Sequence, residues 1–124
     1  MLTTSKKQKK KAEHLQKGEH WEHEALTFLK KNGLTPLQKN YHCNYGEIDL
    51  IMLDTSHIIF VEVRYSKNDN FGDALQSVNS KKQIKIANSA QNFLIKNTQF
   101  KHLAIRFDVI GITGSDLQWI QNAF

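Results

Sequence analysis

Residues 46–64 read Gly46-Glu47-Ile48-Asp49-Leu50-Ile51-Met52-Leu53-Asp54-Thr55-Ser56-His57-Ile58-Ile59-Phe60-Val61-Glu62-Val63-Arg64. Two apolar runs, 48–53 and 58–63, flank the turn-forming Asp54-Thr55-Ser56, a pattern that predicts two strands joined by a tight turn. Successive strand side chains face opposite ways, so Glu47 and Asp49 share a face. Glu62 and Arg64 likewise share one, opposite Val61 and Val63. Three carboxylates therefore interrupt strands that otherwise read as buried. An ionised carboxylate in such a strand is costly unless it is paired or binds a metal. The hairpin is the candidate functional centre.

The chain around it has 124 residues, enough for one domain with a real core. No window approaches the ~18 apolar residues of a membrane span. The lysine-rich start is followed by no apolar core, so it does not read as a secretory signal. The single cysteine, Cys43, excludes an internal disulfide and a cysteine-based zinc site. A cytoplasmic location is the expectation.

The net charge of +5 is unevenly spread. Residues 1–17 hold Lys6, Lys7, Lys9, Lys10, Lys11 and Lys17 against Glu13, and read as a basic, mobile arm ahead of a domain at 18–124. Acids dominate from residue 19 to 63, and basic side chains from 64 to 101. An acidic pocket beside a basic helix suits a metal-dependent protein that handles a polyanion.

Residues 13–32 predict a helix ending at Asn32-Gly33, with Gly33 at the left-handed cap position. Trp21, Ala25, Phe28 and Leu29 recur at helical spacing and mark its buried stripe. Glu22 falls about 100° around the wheel from Trp21, inside that apolar sector. His20 and His23 lie three apart but on the polar side, and read as surface residues.

Residues 37–42 predict an edge strand with Leu37, Lys39 and Tyr41 on one face. A polar loop at 66–72 and a short helix at 74–78 follow the hairpin. Ser80 opens a longer helix, since Ser80-Lys81-Lys82-Gln83 fits a capping box. Ile84, Ala87, Ala90, Phe93 and Leu94 are its expected buried stripe. Lys81, Lys82 and Lys85 crowd its first turns, where the macrodipole favours an anion. Residues 103–112 alternate cleanly as a strand, with Arg106 and Asp108 on one face, and 117–120 form another. Helix, three strands, helix and two strands imply an α/β fold whose mixed sheet is flanked by helices.

Asp49 followed by Glu62-Val63-Arg64 on the next strand resembles the P-D-(D/E)-x-K motif of the restriction-endonuclease-like nucleases. Within that superfamily the chain is similar to the YraN-type bacterial family, related to archaeal Holliday-junction resolvases. The matching segments are Glu22-x-x-Ala25-x-x-Phe28-Leu29, residues 46–51, residues 60–64, Phe71-Gly72, Val78 with Lys82, residues 106–109, and Trp119-Ile120 through Ala123-Phe124. The resemblance implies an αβββαβ core with a mixed five-stranded sheet. It implies that Glu22, Asp49 and Glu62, helped by the Val63 carbonyl, hold Mg²⁺ or Mn²⁺. Phosphodiester hydrolysis of structured DNA is the activity it implies.

Two positions depart from that pattern. Trp21 stands where the family often has glycine, and Arg64 stands at the motif's lysine. Arginine stays protonated and cannot serve as a base, though it can bind phosphate and stabilise developing charge. Strand periodicity places neither Lys67 nor Lys82 in the pocket as a substitute. Lys67, Lys81, Lys82, Lys85 and Arg106 are the expected nucleic-acid contacts, with Glu47 and Asp108 in supporting positions. Two other readings remain open at this point. One is a non-catalytic DNA- or RNA-binding module on the same fold. The other is a structural or partner-binding protein whose acids pair with Arg64 and Arg106.

Overall fold

The computed structural model describes the backbone of residues 6–67 and 75–124, and side chains from residue 18 onward within those spans. The elements run α1 (Lys6–Lys31), β1 (Thr35–Cys43), β2 (Gly46–Leu53), β3 (His57–Ser66), α2 (Ser80–Lys96), a 3-10 turn (Thr98–Phe100), β4 (Ala104–Thr113) and β5 (Asp116–Ile120). One five-stranded sheet has the order β1-β2-β3-β4-β5. β3 and β4 are parallel and the other neighbours antiparallel. This is the expected mixed sheet of an αβββαβ core.

α1 begins at Lys6, where the sequence pattern put its start at residue 13. The rest of the expected basic arm, residues 1–5, lies outside the described residues, as do 68–74 with most of the expected polar loop and Phe71-Gly72. Residues 75 and 76 are helical, and a turn follows at Ser77.

α1 ends where Gly33 takes φ +90°. Leu34 N donates to Leu29 O and Gly33 N to Lys30 O, the paired bonds of a Schellman cap. Ala25, Leu29 and Leu34 are buried with Leu50, Met52, Ile59, Val61, Ile110 and Ile112 on one face of the sheet. On the other face Ile86, Ala90 and Phe93 of α2 pack over Tyr41, Ile48, Ile51, Ile58, Phe60 and Val109. Two apolar layers thus hold the sheet between its helices.

The buried stripe of α2 differs from the one read off the sequence. Ile84 is 62% exposed and Ala87 is exposed, while Ile86, Ser89, Ala90 and Phe93 are buried. The cap is also one residue earlier. Asn79, in place of Ser80, accepts from Lys82 N through its side chain. Asparagine caps as well as serine, and the amide side chain of Gln83 is drawn instead to Val78 O at 3.0 Å.

The hairpin is built as expected at its tip. Asp54 Oδ1 accepts from Ser56 N at 2.8 Å and from His57 N, closing the turn. The other end of the hairpin opens. Paired residues of β2 and β3 stop at Leu50 and Val61, whereas β2 stays paired with β1 as far as Gly46. Ile48 belongs to the α2-side core and Leu50 to the α1-side core. Two residues apart on a regular strand would share a face, so alternation breaks around Asp49. β1 breaks at the same level. Lys39 and Tyr41 pair with Leu50 and Ile48, which sets Asn40 opposite Asp49, and Asn40 has φ +51°. A register shift at Leu37 adds to this, so Leu37 is exposed while Tyr41 is buried.

Candidate functional site

The opened end of the hairpin is where the acids meet. With its ladder partner gone, Val63 N donates to Asp49 Oδ2 at 2.8 Å, so Asp49 takes up an amide that the strand leaves free. Glu22 from α1 and Glu62 from β3 both come close enough to Asp49 for its charge to raise their pKa values. Carboxylate oxygens of Glu22, Glu47 and Asp49 lie within 4.8 Å of one another. Glu47, read as a supporting residue, therefore stands in this trio, and Glu62, read as a ligand, falls outside it. The Glu47 carboxylate also comes within 3.7 Å of His42 Nε2.

Two cations reach Glu62, which is 6% exposed. Arg64 Nε is 3.6 Å and Lys82 Nζ 3.8 Å from Glu62 Oε1. Strand periodicity alone missed Lys82 because it arrives from the first turn of α2, a different element. The Nε of Arg64 is buried and makes no hydrogen bond among the described residues. Charge holds this nitrogen near Glu62 without a closed bond.

Burial and the crowding of acids around Asp49 set the titrations. Burial, then the Asp49 charge, push Glu62 up to about 8 in spite of Lys82 and Arg64. Burial, then Asp49, push Glu22 up to about 7, opposed by a hydrogen bond from Asn40. Burial also raises Asp49, while Val63 N, Glu62, Lys82 and Arg64 pull it down. Both glutamates are therefore proton holders flanking the aspartate. Protons stand in for positive charge at a site of hard oxygen donors, and such donors fit Mg²⁺ or Mn²⁺.

Gly18, Trp21, Glu22, Glu47, Asp49, Glu62, Val63, Arg64, Tyr65 and Lys67 line one cavity of about 770 Å³, a size typical of ligand sites. Lys67 thus borders the pocket that periodicity had left it outside. Lys81 and Lys85 are exposed on α2, near Lys82. His20 and His23 are exposed as expected.

Arg106 does not belong to this site. Its Nε and Nη2 each donate at 2.9 Å to Asp108, and Nη1 lies 3.6 Å from Asp54 at the hairpin tip. The Arg106 side chain is 13% exposed and that of Asp108 fully buried. Asp108 accepts further bonds from Trp119 Nε1 and Asn122 N, both at 2.9 Å. The pair ties β4 to the hairpin tip and the chain end, and Arg106 has no reach to spare for phosphate. The signal was present as Arg-x-Asp on a strand, a spacing that lets neighbours on one face pair with each other.

Sequence reasoning missed Asn40, Trp21 and Tyr65 as site residues. A positive φ at asparagine has no sequence signature beyond the residue type. Trp21 and Tyr65 adjoin Glu22 and Arg64, and adjacency to site residues was the available clue.

The uncharacterised protein family UPF0102 matches the chain over residues 21–112. A UPF0102 protein of Saccharophagus degradans is 48% identical over 113 residues, covering 91% of this chain and 96% of the relative. One from Nitrosococcus oceani is 43% identical over 119 residues, covering 93% and 96%. One from Legionella pneumophila is 45% identical over 111 residues, covering 88% and 94%.

Proposed function

The chain belongs to the uncharacterised protein family UPF0102, and from its site we propose a nucleic-acid-binding protein of the restriction-endonuclease-like superfamily. Its activity is divalent-metal-dependent hydrolysis of phosphodiesters in structured DNA. The observation that carries this reading is that Glu22 and Glu47 cluster with Asp49 at an opened strand pair, while Glu62 acts on Asp49 from β3 beside Arg64 and Lys82. The element order and the Asp49, Glu62-Val63-Arg64 pattern add the likeness to that superfamily.

Asp49, Glu62 and Glu22 would hold Mg²⁺ or Mn²⁺, with Glu47 beside them. A bound ion would supply positive charge and lower the pKa of the attacking water, so that it gives up its proton more readily. The protein's own groups divide the remaining work. Asp49 is fixed by the Val63 amide, so its free oxygen is aimed. Glu22, reaching the site from α1, would either ligate the ion or orient the attacking water beside it. Arg64 donates to phosphate oxygens and opposes the charge that builds on them. Because the guanidinium stays protonated, it takes no proton from water. Lys82 sets the charge balance at Glu62 from the far side.

The test is cleavage of branched and single-stranded DNA in Mn²⁺. Wild type should cut, and Asp49→Ala and Glu62→Ala should each lose at least a hundred-fold in rate. Cleavage that survives in both variants sinks the mechanism. One observation favours a second reading, a nucleic-acid-binding module without turnover. Both cations nearest the acids already face Glu62. Salt-dependent binding that Asp49→Ala leaves unchanged, with no cleavage in metal, would select it.

A further inference from the structure

Trp21 and Tyr65 stack on one another at 4.2 Å between ring centroids, within 9° of parallel. Trp21 precedes Glu22 on α1 and Tyr65 follows Arg64 on β3, and both line the acidic cavity. Tyr65 is 41% exposed even though Trp21 covers one face of its ring. An aromatic ring left this open forgoes burial that a core position would give. Trp21 Nε1 is buried and donates to no acceptor among the described residues. A buried donor without an acceptor is unfavourable.

We propose that the Trp21–Tyr65 pair is a stacking platform for an unpaired nucleobase. The substrate class is then nucleic acid with a single-stranded or splayed nucleotide beside the phosphate that meets the acids. This rests on the phosphodiesterase reading above and narrows it. A paired base is already stacked on both faces within its duplex, so only an unpaired one can lie on the Tyr65 ring without first being extracted. Every base has a flat π-face, so the platform selects for lack of pairing and not for sequence. Its position couples two recognitions: the base on the aromatic pair, and its phosphate near Arg64 and Lys67 on the same cavity wall.

The experiment is fluorescence anisotropy of the full chain with a labelled oligodeoxythymidylate and with an abasic strand of equal length, both in Ca²⁺ and low salt. Wild type should bind the abasic strand between about five-fold and about a hundred-fold more weakly, the range that one stacked base supplies. Tyr65→Leu should bring the thymidylate strand down towards the abasic level, and Tyr65→Phe should not. Equal affinity of wild type for the two strands overturns the platform and leaves the phosphate-binding reading standing. Failure of both strands to bind removes both readings. The strand comparison in wild type does not depend on how well any variant folds.

Discussion

Asp108 is fully buried and meets the Arg106 guanidinium with both of its oxygens. Removing one partner of such a pair strands the other charge, which costs about 3–5 kcal/mol. Asp108→Ala should therefore lower the urea-unfolding free energy by about that amount. An effect below about 1 kcal/mol would mean that Arg106 finds another partner or escapes to water. The same residue scale shows what could be read from the chain. Glu22, Asp49, Glu62 and Arg64 were legible because charge inside apolar periodicity stands out. Asn40 was not, since its value to the site comes from a left-handed backbone that only a three-dimensional constraint imposes. Arg106 misled because a basic residue on a strand looks the same whether it faces phosphate or a buried carboxylate.

At the scale of elements, α2 shows how a helix can be recognised, with Ala90 and Phe93 buried as expected, and still be misread at its first turns. Ile84 and Ile86 sit two apart, about 200° around the wheel, so the pattern allowed either as the core anchor. Capping by Asn79 and the packing of Phe93 against Phe60 and Tyr41 settle it for Ile86. Ile86→Ala should cost about 2–5 kcal/mol, and Ile84→Ala should stay within about 0.5 kcal/mol, read from denaturation midpoints. The reverse order would restore the stripe read from the sequence. The rotation also matters for the site, because it directs Lys82 towards Glu62 from an element that strand periodicity does not cover. β2 and β3 were legible as a hairpin from their apolar runs and turn. Their parting beyond Leu50 and Val61 was not, because it depends on β1 breaking at the same level.

For the whole molecule, the architecture followed from element order, and the electrostatics of the site set how it answers to pH and metal. In the folded chain Glu22 and Glu62 keep protons up to about 7 and about 8, against an ordinary 4.5. The folded state thus binds more protons than the unfolded one between those values. Stability without divalent metal should therefore fall as pH rises from about 4.5 towards about 8. Glu62→Gln should flatten that fall between pH 6 and pH 8, and an unchanged slope would show that other groups cause it. A cation that displaces these protons binds better as pH rises, so Mn²⁺ should raise the melting temperature more at pH 8 than at pH 6. No helix among the described residues is long and apolar enough to cross a membrane. Calorimetric titration of Mn²⁺ into the full chain at pH 8 tests the central claim most directly. Saturable binding that releases protons in wild type and is lost in Asp49→Asn is the predicted result. Absence of saturable binding, or binding that Asp49→Asn leaves intact, would contradict a metal site at the opened hairpin.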